Sequence, residues 1–512
     1  MKLLDCTLRD GGYYTDWDFN SGLVDTYIES FNYLPVDYIE IGYRSKPMKG
    51  YLGQYFYCPV HVVEHLFNKT NKKLVVILNE KDVRVTDAEE LLLPVKPFVT
   101  MVRLAIDPEN FLRAVELGKA IKELGFELSF NVMYMSKWQK HPQLMDNLHL
   151  LEGLADYLYM VDSYGGVYPD DVESIIKRIR EKTNIKLGFH GHNNLELALI
   201  NSLKALEHGV EIIDATVTGM GRGAGNLKTE LLLSVLQAKY HIEFDFNYLS
   251  KVTDAFSRLQ LEYGWGTNLP YMVSGANSLP QKQVMEWVSK RFYSFNSILR
   301  ALSNQSKGIE DNHQLPALNL AESEKSDVVL IVGGGPSVIE HAKAISAFLK
   351  NNPCCIVIHS SSRNAMVFKE LPNRQYFCLV GNEGHRLEEV FKNADTISGK
   401  CVLPPFPRKM GTYIPDSVLN RSFELHTINF TDKLKDTHTS LAIQTAIELG
   451  AKVVNVVGYD GYFGASMGQR EQDFFLENEY LLNKANEAGL KCISLTKTRY
   501  DNMVQGTLYA EI

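Results

Sequence analysis

The sequence predicts an α/β protein in two parts: an N-terminal (β/α)8 barrel of the TIM type with a helical extension, and a C-terminal Rossmann-like α/β domain. Three observations carry this. Eight apolar strand candidates, most of them alternating with amphipathic stretches, fill residues 3–217. The polar blocks Thr7-Leu8-Arg9-Asp10-Gly11-Gly12 and Phe189-His190-Gly191-His192-Asn193-Asn194 fall at the ends of the first and seventh of these strands. A second strand, glycine turn and helix begin at Val328, after a polar stretch.

Leu3–Leu8 opens as an apolar strand running into Arg9-Asp10, with Gly11-Gly12 as its turn. Tyr38–Tyr43, Leu74–Leu78, Val99–Ala105, Glu127–Met133, Tyr157–Asp162, Lys186–Gly191 and Glu211–Val217 follow as strands. Phe111–Leu124, Asp170–Lys182 and Leu195–His208 carry helical periodicity between them. Such alternation specifies parallel βαβ units, and eight of them close into a barrel. Catalytic groups in that architecture sit at the C-terminal strand ends, where Arg9, Asp10, His190 and His192 are expected.

Side chains alternate across a strand, so His190 and His192, at i and i+2, project from one face. Two imidazoles and the Asp10 carboxylate, with room left for water and substrate, make an open divalent-metal site. Arg9 beside it would stabilise negative charge on a substrate oxygen. Taken singly, each block has an ordinary reading: a surface ion pair, two unrelated polar side chains, a flexible glycine loop. Their convergence on one face of one barrel points to a metal site.

TLRDGG, Asp162-Ser163-Tyr164-Gly165-Gly166, FHGHNNLELALINSLKALEHG and Asp214–Asn226 (DATVTGMGRGAGN) resemble, as an ordered set, the HMG-CoA lyase-like (DRE-TIM) superfamily of metal-dependent lyases and aldolases. They are most similar to the 4-hydroxy-2-oxovalerate aldolases, over roughly residues 1–235. The resemblance implies Asp10, His190 and His192 as metal ligands, with Asn226 as an additional one. It implies Arg9 as the enolate-stabilising group and Ser163 as a contact to the keto acid. The reaction implied is aldol cleavage or its reverse, through a pyruvate-like enolate of a 2-keto acid and with an aldehyde partner. The cofactor implied is a divalent metal (Mn2+, Mg2+, Co2+ or Zn2+), which polarises the keto oxygen as a Lewis acid. The chain departs from those aldolases after the RDG turn. Where they carry a histidine suited to acid–base work, Tyr13 stands here, followed by Tyr14. A tyrosine passes protons near neutrality only if its pKa falls well below about 10. Tyr13, His141 and Tyr271 are the candidates for that role.

Composition agrees with a globular enzyme. The 512 residues fit two or three domains. A net charge of −8 leaves no electrostatic footprint for nucleic acid, and no run reaches the roughly 18 apolar residues of a membrane helix. The N-terminus enters a strand at once, as a cytoplasmic protein without a cleaved leader would. Seven scattered cysteines without a CxxC pair read as reduced thiols, with Cys354-Cys355 in a core strand.

Residues 236–302 form the helical extension, expected either to cap the barrel mouth, where a second copy in a homo-oligomer could meet it, or to pack outside. Residues 303–326 turn polar and read as a linker. The domain 327–512 begins Val328–Val332 followed by Gly333-Gly334-Gly335-Pro336-Ser337 and a helix at Val338–Lys350. Pro336 suits a first helical turn, and glycines let a phosphate approach helix-start amides. Strands at Cys355–His359, Gln375–Val380 and Val453–Val457 and a helix at Thr439–Leu449 complete the layer. The dinucleotide spacing G-x-G-x-x-G is absent, and no acidic residue ends the second strand, so NAD is not expected.

Two short motifs here, VVLIVGGGPSV and Thr437–Gly464, resemble Campylobacter-type sialyltransferases and hydroxymethylpterin pyrophosphokinase-like domains. That implies nucleotide binding by Gly333, Gly334, Gly335, Pro336 and Ser337, with Asp460 a further contact. A barrel handling a keto acid beside a nucleotide domain suggests surface-glycan or keto-sugar metabolism. Two alternatives share the barrel. Acyl-CoA-dependent Claisen enzymes follow the RDG turn with an acidic residue and glutamine, where this chain has Gly12-Tyr13. A nucleotide-dependent transferase with a non-catalytic barrel would not need the ligand set.

Overall fold

The computed structural model describes residues 1–289, 295–308, 314–392, 397–408, 412–462 and 469–512. They form two compact units, Met1–Glu286 and Trp287–Ile512. Part of the polar stretch 303–326 and the last two residues of the Thr437–Gly464 motif lie outside the described residues.

The first unit holds a closed barrel of eight parallel strands in sequence order. These are β1 Lys2–Asp5, β2 Tyr38–Tyr43, β3 Lys73–Asn79, β4 Val99–Ile106, β5 Glu127–Val132, β6 Tyr157–Asp162, β7 Lys186–Gly191 and β8 Ile212–Ala215. Closure is made by β1, where Leu4 pairs with Tyr38 on one side and Asp214 on the other. Seven strands lie where their apolar runs put them. The first is shorter than the run Leu3–Leu8: the chain leaves the sheet after Asp5 and turns helical at Thr7–Thr15. Asp5 forces the turn, its Oδ1 accepting from the Thr7 amide (2.9 Å) and hydroxyl (2.6 Å). Arg9 and Asp10 therefore sit in the first turns of a helix, and Gly11 and Gly12 are helical residues, not a turn.

Period-2 alternation sorts the strand residues. Leu3, Ile39, Val76, Val102 and Ile213 face outward into the layer beneath the helices. Leu4, Tyr38, Val75, Met101, Tyr157 and Ile212 face inward as an apolar floor. One step of two residues up these strands come Glu40, Arg103, Tyr159 and Asp214, joined by His190 of β7. The barrel interior is thus apolar below and ionic above.

Helices after the barrel do two jobs. Phe246–Tyr263 packs outside, against the helix Ser21–Phe31. Leu269–Ala276 lies over the loops at the C-terminal face. There Asn194 Nδ2 donates to the Tyr271 carbonyl (3.0 Å) and to Gln281 Oε1 (2.9 Å), and Trp265 Nε1 donates to the Thr218 carbonyl (3.2 Å). Both alternatives expected for this region are realised, by different helices.

The second unit is an eight-stranded parallel sheet: β9 Val328–Val332, β10 Ile356–His359, β11 Gln375–Cys378, β12 Lys400–Leu403, β13 Ser422–Glu424, β14 Val453–Val457, β15 Lys491–Ser494 and β16 Val504–Gln505. Their order is β13-β12-β11-β10-β9-β14-β15-β16, so the winding reverses between β9 and β14. The expected helix Val338–Lys350 is two, Ser337–Glu340 and Ala342–Asn351, divided at His341. Both Cys354 and Cys355 precede β10; Cys354 is exposed and Cys355 buried, so only one of the pair is core. All seven cysteines are free thiols. No helix among the described residues is long and apolar enough to cross a membrane.

Candidate metal centre

Asp10, His190 and His192 each offer a ligand atom, and these atoms lie within 4.8 Å of one another. All three residues are buried. His190 is the penultimate residue of β7, with its Nε2 3.4 Å from Asp10 Oδ2. His192 follows two residues on and pairs across an isolated antiparallel bridge with Asn226. The loop after β8 is folded back to make that bridge: the Asn193 amide donates to the Gly225 carbonyl (2.8 Å) and the Asn226 amide to that of Gly219 (3.0 Å). Asn226 Nδ2 then donates to Asp10 Oδ2 at 2.6 Å.

Two polar atoms here are orphaned. Asn226 Oδ1 and His192 Nδ1 are buried without a hydrogen-bond partner. An amide oxygen left bare beside a carboxylate and two imidazoles is costly unless something meets it. With an O/N donor set and an unsatisfied oxygen, the residues fit a divalent cation.

Beneath the cluster runs a closed ring of charge. His190 Nδ1 bonds Asp214 Oδ2 (2.9 Å), Asp214 Oδ2 accepts from Arg103 Nη2 (2.6 Å), and Arg103 Nη1 pairs with Glu40. Glu40 Oε1 accepts from Arg9 Nε (3.1 Å), Arg9 Nη1 pairs with Asp10, and Asp10 returns to His190. Two guanidiniums against three carboxylates leave one negative charge, which an imidazolium or a bound cation balances. The titration directions follow. Burial disfavours a charged His190, but the hydrogen bonds it donates to the Asp10 and Asp214 carboxylates outweigh it and raise its pKa. His192, buried and next to His190, is pushed well down and stays neutral. Burial would raise Asp10; the Arg9 guanidinium overrides it and holds that carboxyl far below the usual range.

Glu40, Arg103 and Asp214 were not singled out by sequence reasoning. The signal existed: one charged residue inside each of YIEIGY, VTMVRLA and the strand leading into DATVTG, at the inward parity. Charged residues are almost never fully buried unless paired.

Of the other expected residues, Ser163 lies one residue beyond β6, whose Asp162 pairs with Gly191, and its Oγ accepts from the Tyr134 amide (2.9 Å). Tyr13 is 37% exposed at the barrel mouth, its hydroxyl 3.3 Å from that of Tyr43. Tyr43 is the buried member: burial pushes its phenol well up, Tyr13 and the Asp10 carboxylate add to that, and the Arg9 guanidinium opposes it. His141 caps the short helix Pro142–Asp146 and is not drawn into the cluster. Tyr271 lies in the helix over the loops.

In the second unit, Gly333–Ser337 follows β9 at the winding reversal, beside Asp460 after β14. The Asp460 carboxylate accepts from the Ser337 amide (3.0 Å) and hydroxyl (2.5 Å). The helix start expected to receive a phosphate already holds a carboxylate, while Gly334, Gly335 and Pro336 reach the surface.

Comparison with known proteins agrees with the barrel chemistry. The HMGL-like family model matches residues 1–255. A 4-hydroxy-2-oxovalerate aldolase of Geobacillus thermodenitrificans is 30% identical over 245 residues, 46% of this chain and 68% of the relative. An oxaloacetate decarboxylase of Mycobacterium tuberculosis is 23% identical over 320 residues, 60% of this chain and 92% of its own. The crystal structure of the N-terminal domain of a candidate aldolase from Bacteroides vulgatus is 54% identical, with a TM-score of 0.56, covering 59% of this chain and all of that one. The Asp10 carboxylate, two imidazoles and the unsatisfied Asn226 amide oxygen at the mouth of such a barrel suit carbon–carbon bond chemistry on 2-keto acids, and the chain belongs to the HMGL-like family as a metal-dependent carbon–carbon lyase.

Proposed function

We propose that the barrel makes or cleaves a carbon–carbon bond by aldol chemistry, through the enolate of a pyruvate-like 2-keto acid. The observation that carries this is the Arg9 guanidinium, fixed between Asp10 and Glu40 at the edge of the Asp10–His190–His192 cluster. Asp10, His190, His192 and Asn226 hold the cation, which supplies Lewis-acid polarisation of the keto oxygen when bound. Burial opposes the Arg9 charge, but Asp10 and Glu40 outweigh it, so Arg9 remains a cation ready for a developing oxyanion.

In the cleavage direction the C3–C4 bond breaks and its electron pair moves into the enolate. The C4 hydroxyl passes its proton to water at the barrel mouth as the aldehyde forms, and C3 then takes up a proton from the Tyr43 phenol, which solvent replenishes. Burial pushes the Tyr43 phenol well up, so it stays protonated and donates. Tyr13, bonded to it and open to water, links it to solvent. Ser163, one residue beyond the strand that neighbours β7, would contact the keto acid.

The test is pyruvate C3 hydrogen exchange in D2O, followed by NMR, with stripped protein resupplied with Mn2+ or Mg2+. Metal-dependent exchange that disappears in Arg9→Ala supports the reading and justifies an aldehyde screen that includes keto sugar acids. Absence of exchange in the intact protein defeats it.

For the second unit the reading is a nucleotide site on Gly333–Pro336. Its support is the winding reversal between β9 and β14, the place where open parallel sheets bind ligands. With Asp460 on the Ser337 amide and the Gly335 amide on the Gly458 carbonyl (2.9 Å), the phosphate would meet Gly334. Equilibrium dialysis against labelled nucleoside mono-, di- and triphosphates tests it, and no retention by the full chain rejects it.

A further inference from the structure

The loop after β8 carries a second polar group besides Asn226. Gly221 packs so closely on Asn226 that a Cβ there would lie 2.5 Å from its Nδ2. The backbone bearing Arg222 therefore starts beside the metal cluster. Its guanidinium lies over the Tyr13 ring, 5.5 Å from the centroid. Its charge acts on His192, Tyr134 and Tyr164.

Arg222 is partly buried, and its Nε is cut off from solvent without a hydrogen-bond partner. Among the described residues no carboxylate pairs with it. The contrast with its neighbours is sharp: Arg9 is met by Asp10 and Glu40, Arg103 by Glu40 and Asp214. A chain of net charge −8 does not lack carboxylates to place there. A guanidinium stripped of part of its water and given no anion is held for one that arrives.

The surroundings are built to the same end. Tyr134 stacks on Tyr164 with ring centroids 5.2 Å apart, and Lys137 Nζ donates to the Tyr164 hydroxyl at 3.1 Å. Tyr134 is held at φ 58°, in the left-handed region that a tyrosine rarely adopts, its amide fixed on Ser163 Oγ. Asp107 also faces these two tyrosines, but its Oδ1 is engaged by the Glu109 amide (3.1 Å).

We propose that Arg222 binds a second anionic group of the substrate, so that the preferred substrates are dianions: 2-keto acids whose far end carries a carboxylate or a phosphate. This rests on the 2-keto acid reading of the metal end. The planar guanidinium offers two parallel donors, the geometry for either oxyanion.

The experiment is calorimetric binding to the metal-loaded full chain. One arm pairs oxaloacetate, 2-oxoglutarate and 2-oxoadipate with 2-oxobutanoate, 2-oxopentanoate and 2-oxohexanoate. A second arm replaces the far carboxylate by a phosphonate. At the best chain length the dianion should bind about 10-fold or more tighter than its monoanionic counterpart. Arg222→Gln should erase that preference while pyruvate binding stays within about 2-fold, and Arg222→Lys should keep part of it. The larger preference in one arm names the oxyanion. No preference in the wild type, or one that survives in Arg222→Gln, overturns the proposal. Should Arg222→Gln fail to fold, a preference undiminished in Arg222→Lys overturns it equally. Pyruvate C3 exchange is read separately, so absence of enolate chemistry with an intact dianion preference would sink the aldol reading and leave this one standing.

Discussion

His190 Nδ1 lies 2.9 Å from Asp214 Oδ2, and Asp214 in turn is bound to Arg103 at 2.6 Å. The carboxylate fixes the imidazole's tautomer with Nε2 toward Asp10. Ligand-orienting partners of this kind are typically worth 10–100-fold in metal affinity. Asp214→Asn should therefore weaken metal binding by about that factor in a chelator competition. His190→Ala should abolish stoichiometric metal by mass spectrometry with the far-ultraviolet circular dichroism unchanged. A His190→Ala protein that keeps full metal would remove His190 from the ligand set.

Tyr43 and Tyr13 should separate in exchange kinetics. Tyr43 is buried near Arg9 and Asp10, whereas Tyr13 is part-exposed and water can replace its hydroxyl. Tyr43→Phe should slow pyruvate exchange by about 100-fold or more and Tyr13→Phe by well under that, within the usual span of general acid–base catalysis. Equal effects would show that neither phenol alone carries the proton.

The adjacent glycines of the first helix should differ in tolerance. A Cβ on Gly12 would lie 2.1 Å from Trp17 Cδ1, and Trp17 is pinned by its Nε1 bond to the Arg9 carbonyl (2.8 Å) and by edge contacts with Tyr13, Tyr43 and Phe56. On Gly11 the obstacle is the Met220 thioether, 2.5 Å away on a flexible chain. Gly12→Ala should cost the 1–3 kcal/mol of overpacking, and Gly11→Ala clearly less, by denaturant unfolding. The reverse order would mean that Trp17 yields and Met220 does not.

Asp162 predicts a pH slope. Burial pushes its carboxyl up to about 6, against the amides of Val167 and Gly166 that favour its charge. A raised folded pKa means that stability is full below the unfolded value near 4 and declines as pH rises to about 6. The loss approaches roughly 3 kcal/mol at 1.4 kcal/mol per unit. Asp5 behaves alike for the same reason. Asp162→Asn should flatten part of the slope in urea titrations between pH 4 and 7. An unchanged slope would mean the carboxyl is not buried in solution.

Much of the barrel was legible because strand burial on both faces writes itself as continuous apolar runs, and because the polar blocks ended the first and seventh of them. Asp10, His190 and His192 could be grouped from that pattern alone. The helical conformation of Thr7–Thr15 could not, since it depends on the Asp5 carboxylate taking the Thr7 amide, and Gly11-Gly12 read as a turn until Met220 and Trp17 showed why they are small. Glu40, Arg103 and Asp214 were visible as lone charges in apolar strands, but which charge meets which is set by strand register and not by any one segment.

By itself, then, the sequence determined the eightfold alternation, the parity that puts two imidazoles on one face, and the parallel layer that begins at Val328, all of them consequences of local periodicity. Tertiary structure alone decided the closed ring of charge, the orphaned oxygen of Asn226, the carboxylate of Asp460 on the Ser337 amide and the unmatched guanidinium of Arg222. The reason is physical: whether a polar group is satisfied depends on what residues distant in the chain bring within hydrogen-bond reach, and that is settled only when the barrel closes.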